Sequence, residues 1–313
     1  MLDIIGENFN TTRRLKITSP RVVHDGGCVG ITYAGPDGSK RLFDVTDIYP
    51  TDPAKLRTFQ IPHVAHAVRR KDLDYIAWLI GSQTAAGANI IDLCVDEIAL
   101  DPDVRHQTMA WLVPVAQNIT DAIIAIDSSD PETIMAGLRA HDGSRSRPAI
   151  NSVNLEEGRQ DLIKEAKSRN ALLFANASGR DGMPRDEHER VANLAELMAL
   201  MDHAGIAMTD RYLDPLAFPV STGSAFGPHY LEAVREIRRR YPQVHIFGGH
   251  SNASFGLPQR KIVNNAFAIL SILAGCDTLM IDPVQTPAKD FAEFKLAADL
   301  VLGQDENARR YMA

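Results

Sequence analysis

Short runs rich in Ile, Val, Leu and Ala recur along the chain, each followed by a longer segment in which apolar residues return every three or four positions. The short runs predict buried strands and the longer segments predict amphipathic helices. Eight strands are predicted, at Asp3–Glu7, Asn89–Val95, Ala122–Asp127, Pro148–Asn151, Ala171–Asn176, Arg211–Asp214, Val244–Phe247 and Thr278–Asp282. Helices are predicted over DLDYIAWLIGSQTAAGA, DVRHQTMAWLVPVAQNI and DPETIMAGLRAH, and near residues 155–169, 186–204, 228–240, 260–274 and 288–302. Asp130 has the chemistry of an N-cap, with Pro131 at the first helical position. Pro114 predicts a kink or break in its helix. Nearly continuous apolar strands alternating with helices imply a parallel sheet covered by helices. Eight such units predict an α/β fold, a (β/α)8 TIM barrel, as one domain over residues 1–313. The structural rival is an open doubly wound sheet, and no GxGxxG follows the first strand to support it.

Residues 14–60 break the alternation. RVVHDGGCVGITYAGPDGSKRLFDV predicts short strands joined by Gly-Gly and Pro-Asp-Gly turns. The expectation is a β-rich, hairpin-like insert after strand one. An ornament on the barrel edge, a cover over its mouth, a dimer contact and a docking element all remain open for it.

Composition narrows the class. The 313 residues are 45% hydrophobic and 23% charged, with a formal net charge of -7. A globular protein is expected, and a nucleic-acid binder with a basic face is not. Cys28, Cys94 and Cys276 form no CxxC pair, and MLDIIGENFN lacks the basic start of a signal peptide. No apolar run approaches a membrane span. A reduced, cytoplasmic setting without membrane attachment is therefore expected.

Barrel chemistry gathers where strands end. The predicted strands end on Glu7, Asn8 and Asn10, then Asp92, Cys94 and Asp96, then Asp127 and Ser128. Further along come Asn151, Ser152 and Asn154, then Asn176 and Ser178, Asp214, Ser251 and Asn252, and Asp282. One mouth would be ringed by carboxylates and carboxamides. Asn8, Asn151 and Asn252 each also suit a turn, so the recurrence carries the signal. No HExxH, GxSxG or Cys/His cluster accompanies the ring, and no metal site is expected. His63 and His66 of HVAH, lacking a third partner, read as exposed histidines. Facing carboxylates would suit a glycosidase, but 6% aromatic residues and 2 Trp argue against sugar platforms. A flat heterocycle with alternating donors and acceptors suits Asp and Asn better, because a carboxylate accepts two N–H groups side by side.

IIGENFNTT, GANIIDLCVDE, IAIDSSDPETIMAGL, PAINSVN, YLDPLAFPVST and GGHSNASFGLPQRKIVNNAFAILSILAGCDTLMIDP occur in this order. Together they resemble the pterin-binding barrel family. The likeness points most nearly to the methyltetrahydrofolate:corrinoid protein methyltransferases, and covers about residues 1–10 and 85–285. The resemblance implies a homodimer that moves a methyl group between N5 of tetrahydrofolate and the cobalt of cobalamin carried by a partner corrinoid protein. It implies that Asp127, Asn151 and Asp214 hydrogen-bond the pterin ring and that Asn252 lies beside N5. Asp92 and Asn8 would support the mouth. Arg260 would stand near the pterin face or meet a folate carboxylate. The methyl leaves a tertiary amine, so N5 must gain a proton. A carboxamide stabilises that charge by accepting a hydrogen bond, within a network that includes Asp127 and water.

The chain departs from the family pattern at Cys94, expected as a small inward barrel residue, and at Phe255, which would stack on or shape the site. His250 is a candidate titrating group near N5. Two alternatives stand: a dihydropteroate synthase-like condensation, and a barrel that binds folate without catalysis. The former needs, in the family, an Arg-x-His near the last strand, where this chain reads LMIDPVQ.

Overall fold

The computed structural model describes residues 2–312. Eight strands, β1 (Asp3–Asn10), β2 (Ile90–Cys94), β3 (Ile123–Asp127), β4 (Pro148–Val153), β5 (Leu172–Asn176), β6 (Arg211–Asp214), β7 (His245–Ile246) and β8 (Thr278–Ile281), form one sheet. All are parallel, in the order β7-β6-β5-β4-β3-β2-β1-β8. The remaining seam is joined by a bridge between Gly249 and Met280. Asp277 reinforces it, with its N–H donating to Ile246 O at 3.3 Å and its Oδ1 accepting Ile246 N–H at 2.9 Å. The sheet thus curls into a nearly closed (β/α)8 TIM barrel.

The outer layer is α1 (Leu73–Ala85), α2 (Pro102–Ile119), α3 (Pro131–Ala140), α4 (Asp161–Ser168), α5 (Glu187–His203), α6 (Phe226–Arg240), α7 (Arg260–Ala274) and α8 (Ala288–Val301). Asp72, Asp101, Asp130 and Asp186 cap α1, α2, α3 and α5 by accepting first-turn N–H groups. Of the kink or break expected at Pro114, the break does not occur, and α2 runs through it. Met109, Leu112, Val113 and Ala116 are buried on one face, and that burial outweighs the single hydrogen bond the proline removes.

Two apolar layers follow from strand periodicity. Ile5, Ile90, Ala125, Ala149, Leu172, Phe174, Tyr212 and Phe247 fill the barrel interior. The opposite parity packs against the helices. Side chains alternate along a strand, so the next inward positions toward the C-terminal ends are Glu7, Asp92, Asp127, Asn151, Asn176 and Asp214. The interior therefore changes from apolar to polar at one level, where the strands end.

The insert holds the predicted hairpins. Leu15–Lys16 pairs with Gln60–Ile61, and Val22–Asp25, Cys28–Ala34 and Lys40–Asp44 form an antiparallel sheet. Gly26 and Gly27, with φ of 55° and 87°, make the tight turn between its first two strands. The insert is more than an ornament on the barrel edge. Ile31, Phe43 and Val45 are buried in the same core as α1. Phe43 stacks on Tyr75 of α1, with centroids 4.2 Å apart and planes 9° from parallel. A further helix, His63–Arg70, lies between the insert and α1. Its histidines are buried, contrary to expectation. His63 Nδ1 bonds the Tyr75 hydroxyl at 3.0 Å, and His66 Nε2 faces Asp47 Oδ1 at 3.2 Å. The short helix packs between insert and barrel, where His63 finds a hydrogen-bond partner in Tyr75 and the His66 ring packs against Phe43.

Candidate active site

Strand register brings the ring together. Cys94 of β2 is level with Asp127 of β3, Asp127 with Asn151 of β4, and Asn176 of β5 with Asp214 of β6. Asn151 Nδ2 donates to Asp92 Oδ1 at 2.9 Å. The Asp92 and Asp127 carboxyls are neighbours, and each shifts the titration of the other. Burial raises Asp92 well above the usual carboxylate range, and the Asp127 charge adds to this. Burial also pushes Asp127 up to about 7, with Asp96 raising it further and Cys94 and Arg159 opposing. Two carboxyls this close hold a proton between them near neutral pH, and they titrate as a pair.

Glu7, on the inward parity of β1, faces the same group. Its Oε1 accepts from Arg13 Nη2 at 2.8 Å, and its Oε2 accepts from Ser251 Oγ at 3.1 Å. Burial raises its pKa despite Arg13. Glu7 thereby ties β1 to the loop after β7. The resemblance assigns the supporting role on this strand to Asn8. Asn8 Nδ2 donates to Asp282 Oδ1 at 2.7 Å, and its backbone N–H donates to Gln83 Oε1 at 2.9 Å. Asn8 sits where the β1–β2 register shifts, off the inward parity of Ile5 and Glu7. It braces the rim between β1 and β8.

Across the mouth, Asp214 Oδ1 accepts the Leu216 N–H at 2.8 Å. Burial pushes its carboxyl up to about 7, opposed by that bond and by the Arg190 charge. Arg190 is fully buried on α5, with its guanidinium 4.7 Å from the Phe218 ring centroid. Nothing in the amphipathic pattern of α5 announced it.

Asn252 ends a one-turn 3-10 helix, His250–Asn252, whose backbone N–H donates to Gly249 O at 2.9 Å. The residue is exposed, and its carboxamide makes no protein hydrogen bond among the described residues. A Cβ on Gly249 would lie 2.9 Å from Asn252 Nδ2, and one on Gly248 would lie 2.5 Å from the Tyr230 hydroxyl. Gly249 therefore gives the amide room over its own loop, and Gly248 lets the Tyr230 hydroxyl approach the backbone. Arg260, at the start of α7, donates from Nη2 to Ser251 O at 2.7 Å and from Nε to Ser254 Oγ at 2.9 Å. It clamps the loop that carries Asn252 and keeps further N–H groups at the rim. Phe255 is 65% exposed beside it.

His250 does not reach the mouth. It is buried against the rings of Tyr230 and Phe267, and burial pushes it down to about 4, so it stays neutral. Cys94 is buried and inward, and burial raises its thiol well above the ordinary range, which makes it a packing group.

The site thus offers acceptors at Asp214, a donor and acceptor at Asn151, a proton-sharing carboxyl pair, and an unengaged carboxamide at the rim. The family profile for "Pterin binding enzyme" matches residues 64–282. A methylcorrinoid:tetrahydrofolate methyltransferase from Eubacterium limosum is 28% identical over 254 residues, covering 80% of this chain and 90% of that protein. A methionine synthase from Mycobacterium tuberculosis is 30% identical over 212 residues, covering 64% of this chain and 17% of that much longer protein. Among solved structures, a Yersinia pestis DHPS with a pterine-sulfa conjugate matches with a TM-score of 0.59 at 17% identity, over 72% of this chain and 90% of that one. A Coxiella burnetii dihydropteroate synthase with pteroic acid matches at 0.51 and 14% identity, over 69% and 83%. At these identities the structural matches speak for the fold. The profile match spans most of the barrel, and the chain belongs to the pterin-binding enzyme family.

Proposed function

We propose that this protein transfers a methyl group between N5 of tetrahydrofolate and a corrinoid carried by a partner protein. The observation that carries the reading is the ring of Asp92, Asp127, Asn151 and Asp214 at the ends of β2, β3, β4 and β6, with the unengaged Asn252 amide on the loop after β7. The ring suits a pterin. The 2-amino and N3–H edge offers paired donors to Asp214, and Asn151 gives and accepts at the next positions. The relative that matches over nearly its full length is a methyltransferase acting on tetrahydrofolate and a methylcorrinoid by name. Condensation is less well supported, because the end of β8 carries Asp282, held by Asn8 and Gln285, in place of a basic pair.

The chemistry asks the protein to stabilise positive charge on N5. The partner's corrinoid supplies the cobalt that exchanges the methyl. Asp92 and Asp127 keep a proton available near neutral pH, which water relays to N5. Asn252 accepts a hydrogen bond from the protonated nitrogen through its carbonyl oxygen, and Arg260 holds its loop. Mixing the protein with 5-methyltetrahydrofolate and Co(I) cobalamin tests the reading. The Co(I) absorbance should decay as methylated cobalamin appears. A spectrum no different from the protein-free control would overturn it.

A further inference from the structure

A second cavity, of about 400 Å³, lies between the insert, α1 and the end of β8. Arg13, Arg14, Arg21, His63, Trp78 and Asp282 are among its walls. It adjoins the mouth, because Asn8 in its lining follows Glu7, which faces the barrel interior. Arg13 is paired with Glu7 at 2.8 Å. The other two guanidiniums have no carboxylate within 4.0 Å among the described residues. Arg14 Nη1 donates to Thr11 O at 2.7 Å. Arg21 donates to Thr32 O and the Tyr75 hydroxyl, both at 3.0 Å, and lies 4.4 Å over the Trp78 ring. Among the described lining residues the acid is Asp282, which is held by neutral donors, Asn8, Gln285 and the backbone of Val284. It offsets one guanidinium, and the cavity wall keeps net positive charge. His63 reports the same field: burial first, then Arg21, Arg13 and Arg14, push it down to about 3.

We propose that this cavity binds the glutamate arm of the folate, with Arg14 and Arg21 receiving its carboxylates and Trp78 contacting the aryl linker. The proposal rests on the pterin reading of the barrel mouth. A pterin seated in the barrel must send its substituent out over the rim, and this cationic recess is the adjoining space. Guanidiniums bonded to neutral carbonyls and a hydroxyl keep N–H groups for a carboxylate fork. All three arginines precede the residues matched by the family profile, which begin at 64. The insert would thus add arm recognition to a family barrel.

Calorimetry of the full chain with three ligands tests this: 5-methyltetrahydrofolate, its triglutamate, and a 5-methyltetrahydropterin lacking the arm. Removing the arm should weaken binding roughly tenfold or more, and the triglutamate should bind tightest, with the gain falling as salt rises. Arg21→Gln and Arg14→Gln should each shrink the gap between armed and armless ligands. Arg21 also braces the insert, so the exposed Arg14 serves if that variant fails to fold. Equal affinity for armed and armless ligands would overturn the arm site while leaving the pterin reading intact. No binding of any of the three would overturn both. An unchanged gap in the variants, with a raised KM for the corrinoid protein, would overturn the arm site in favour of a docking surface.

Discussion

Asp214→Asn should make the protein more stable at alkaline pH while removing its pterin binding. The substitution keeps shape and leaves an oxygen to accept the Leu216 N–H at 2.8 Å. Burial raises the Asp214 carboxyl from 3.8 to about 7 in the folded chain. The folded state therefore holds a proton that the unfolded state releases between those values. Stability from this group is full below the unfolded pKa and is lost as pH rises through the folded one. At about 1.4 kcal/mol per pKa unit, the loss reaches about 4 kcal/mol in total, of which about 2–3 kcal/mol falls between pH 5 and pH 8.5. Asparagine carries no charge in either state and escapes that loss. Denaturant unfolding of both proteins at pH 5 and pH 8.5 measures it, because all other titrations cancel in the difference. The stability gap should widen in favour of Asp214→Asn by about 2–3 kcal/mol on going to pH 8.5. A gap that stays constant, or moves the other way, would refute the claim that Asp214 is held at the mouth against its own preference for water.

The remaining expectations follow from the same geometry. Asn252→Ala should lower kcat by roughly 10²–10³-fold while changing pterin affinity by less than about threefold, read by single-turnover kinetics and calorimetry; equal losses in both would remove the transition-state role. Arg260→Ala frees Ser251 O and Ser254 Oγ, so kcat should fall roughly tenfold with little change in the unfolding midpoint. Methyl transfer from 5-methyltetrahydrofolate should weaken above about pH 7 as the Asp92–Asp127 pair loses its shared proton, and Asp127→Asn should abolish that limb of the kcat profile. Phe43→Ala should cost about 3–5 kcal/mol in denaturant unfolding, because the ring is buried against Tyr75.

The barrel was legible because fully buried parallel strands leave unbroken apolar runs, and each of the eight predicted runs overlaps a strand. Asp127, Asn151 and Asp214 were legible because each sits two residues beyond an inward apolar position, at Ala125, Ala149 and Tyr212. The same parity, counted from Ile5, points Glu7 inward and Asn8 away. Glu7 stood among the strand-end groups, but the resemblance assigned the supporting role to its neighbour Asn8, and only the register of β1 shows which of the two faces inward. The insert's Gly26-Gly27 turn was readable from local chemistry. The stacking of Phe43 on Tyr75 was not, since a contact between residues so far apart leaves no periodic trace. Burial of His63, His66 and His250 had the same origin: each ring is enclosed by elements distant in sequence. The helix stays continuous through Pro114 because burial along α2 outweighs the one hydrogen bond that proline removes.

A crystal structure of the complex with 5-methyltetrahydrofolate tests the central claim most directly. The account predicts the pterin ring across the barrel mouth, its 2-amino edge on Asp214, Asn151 beside it, and the Asn252 oxygen within hydrogen-bond reach of N5. A ring bound elsewhere, or seated with Asp214 and Asn252 both out of contact, would contradict it.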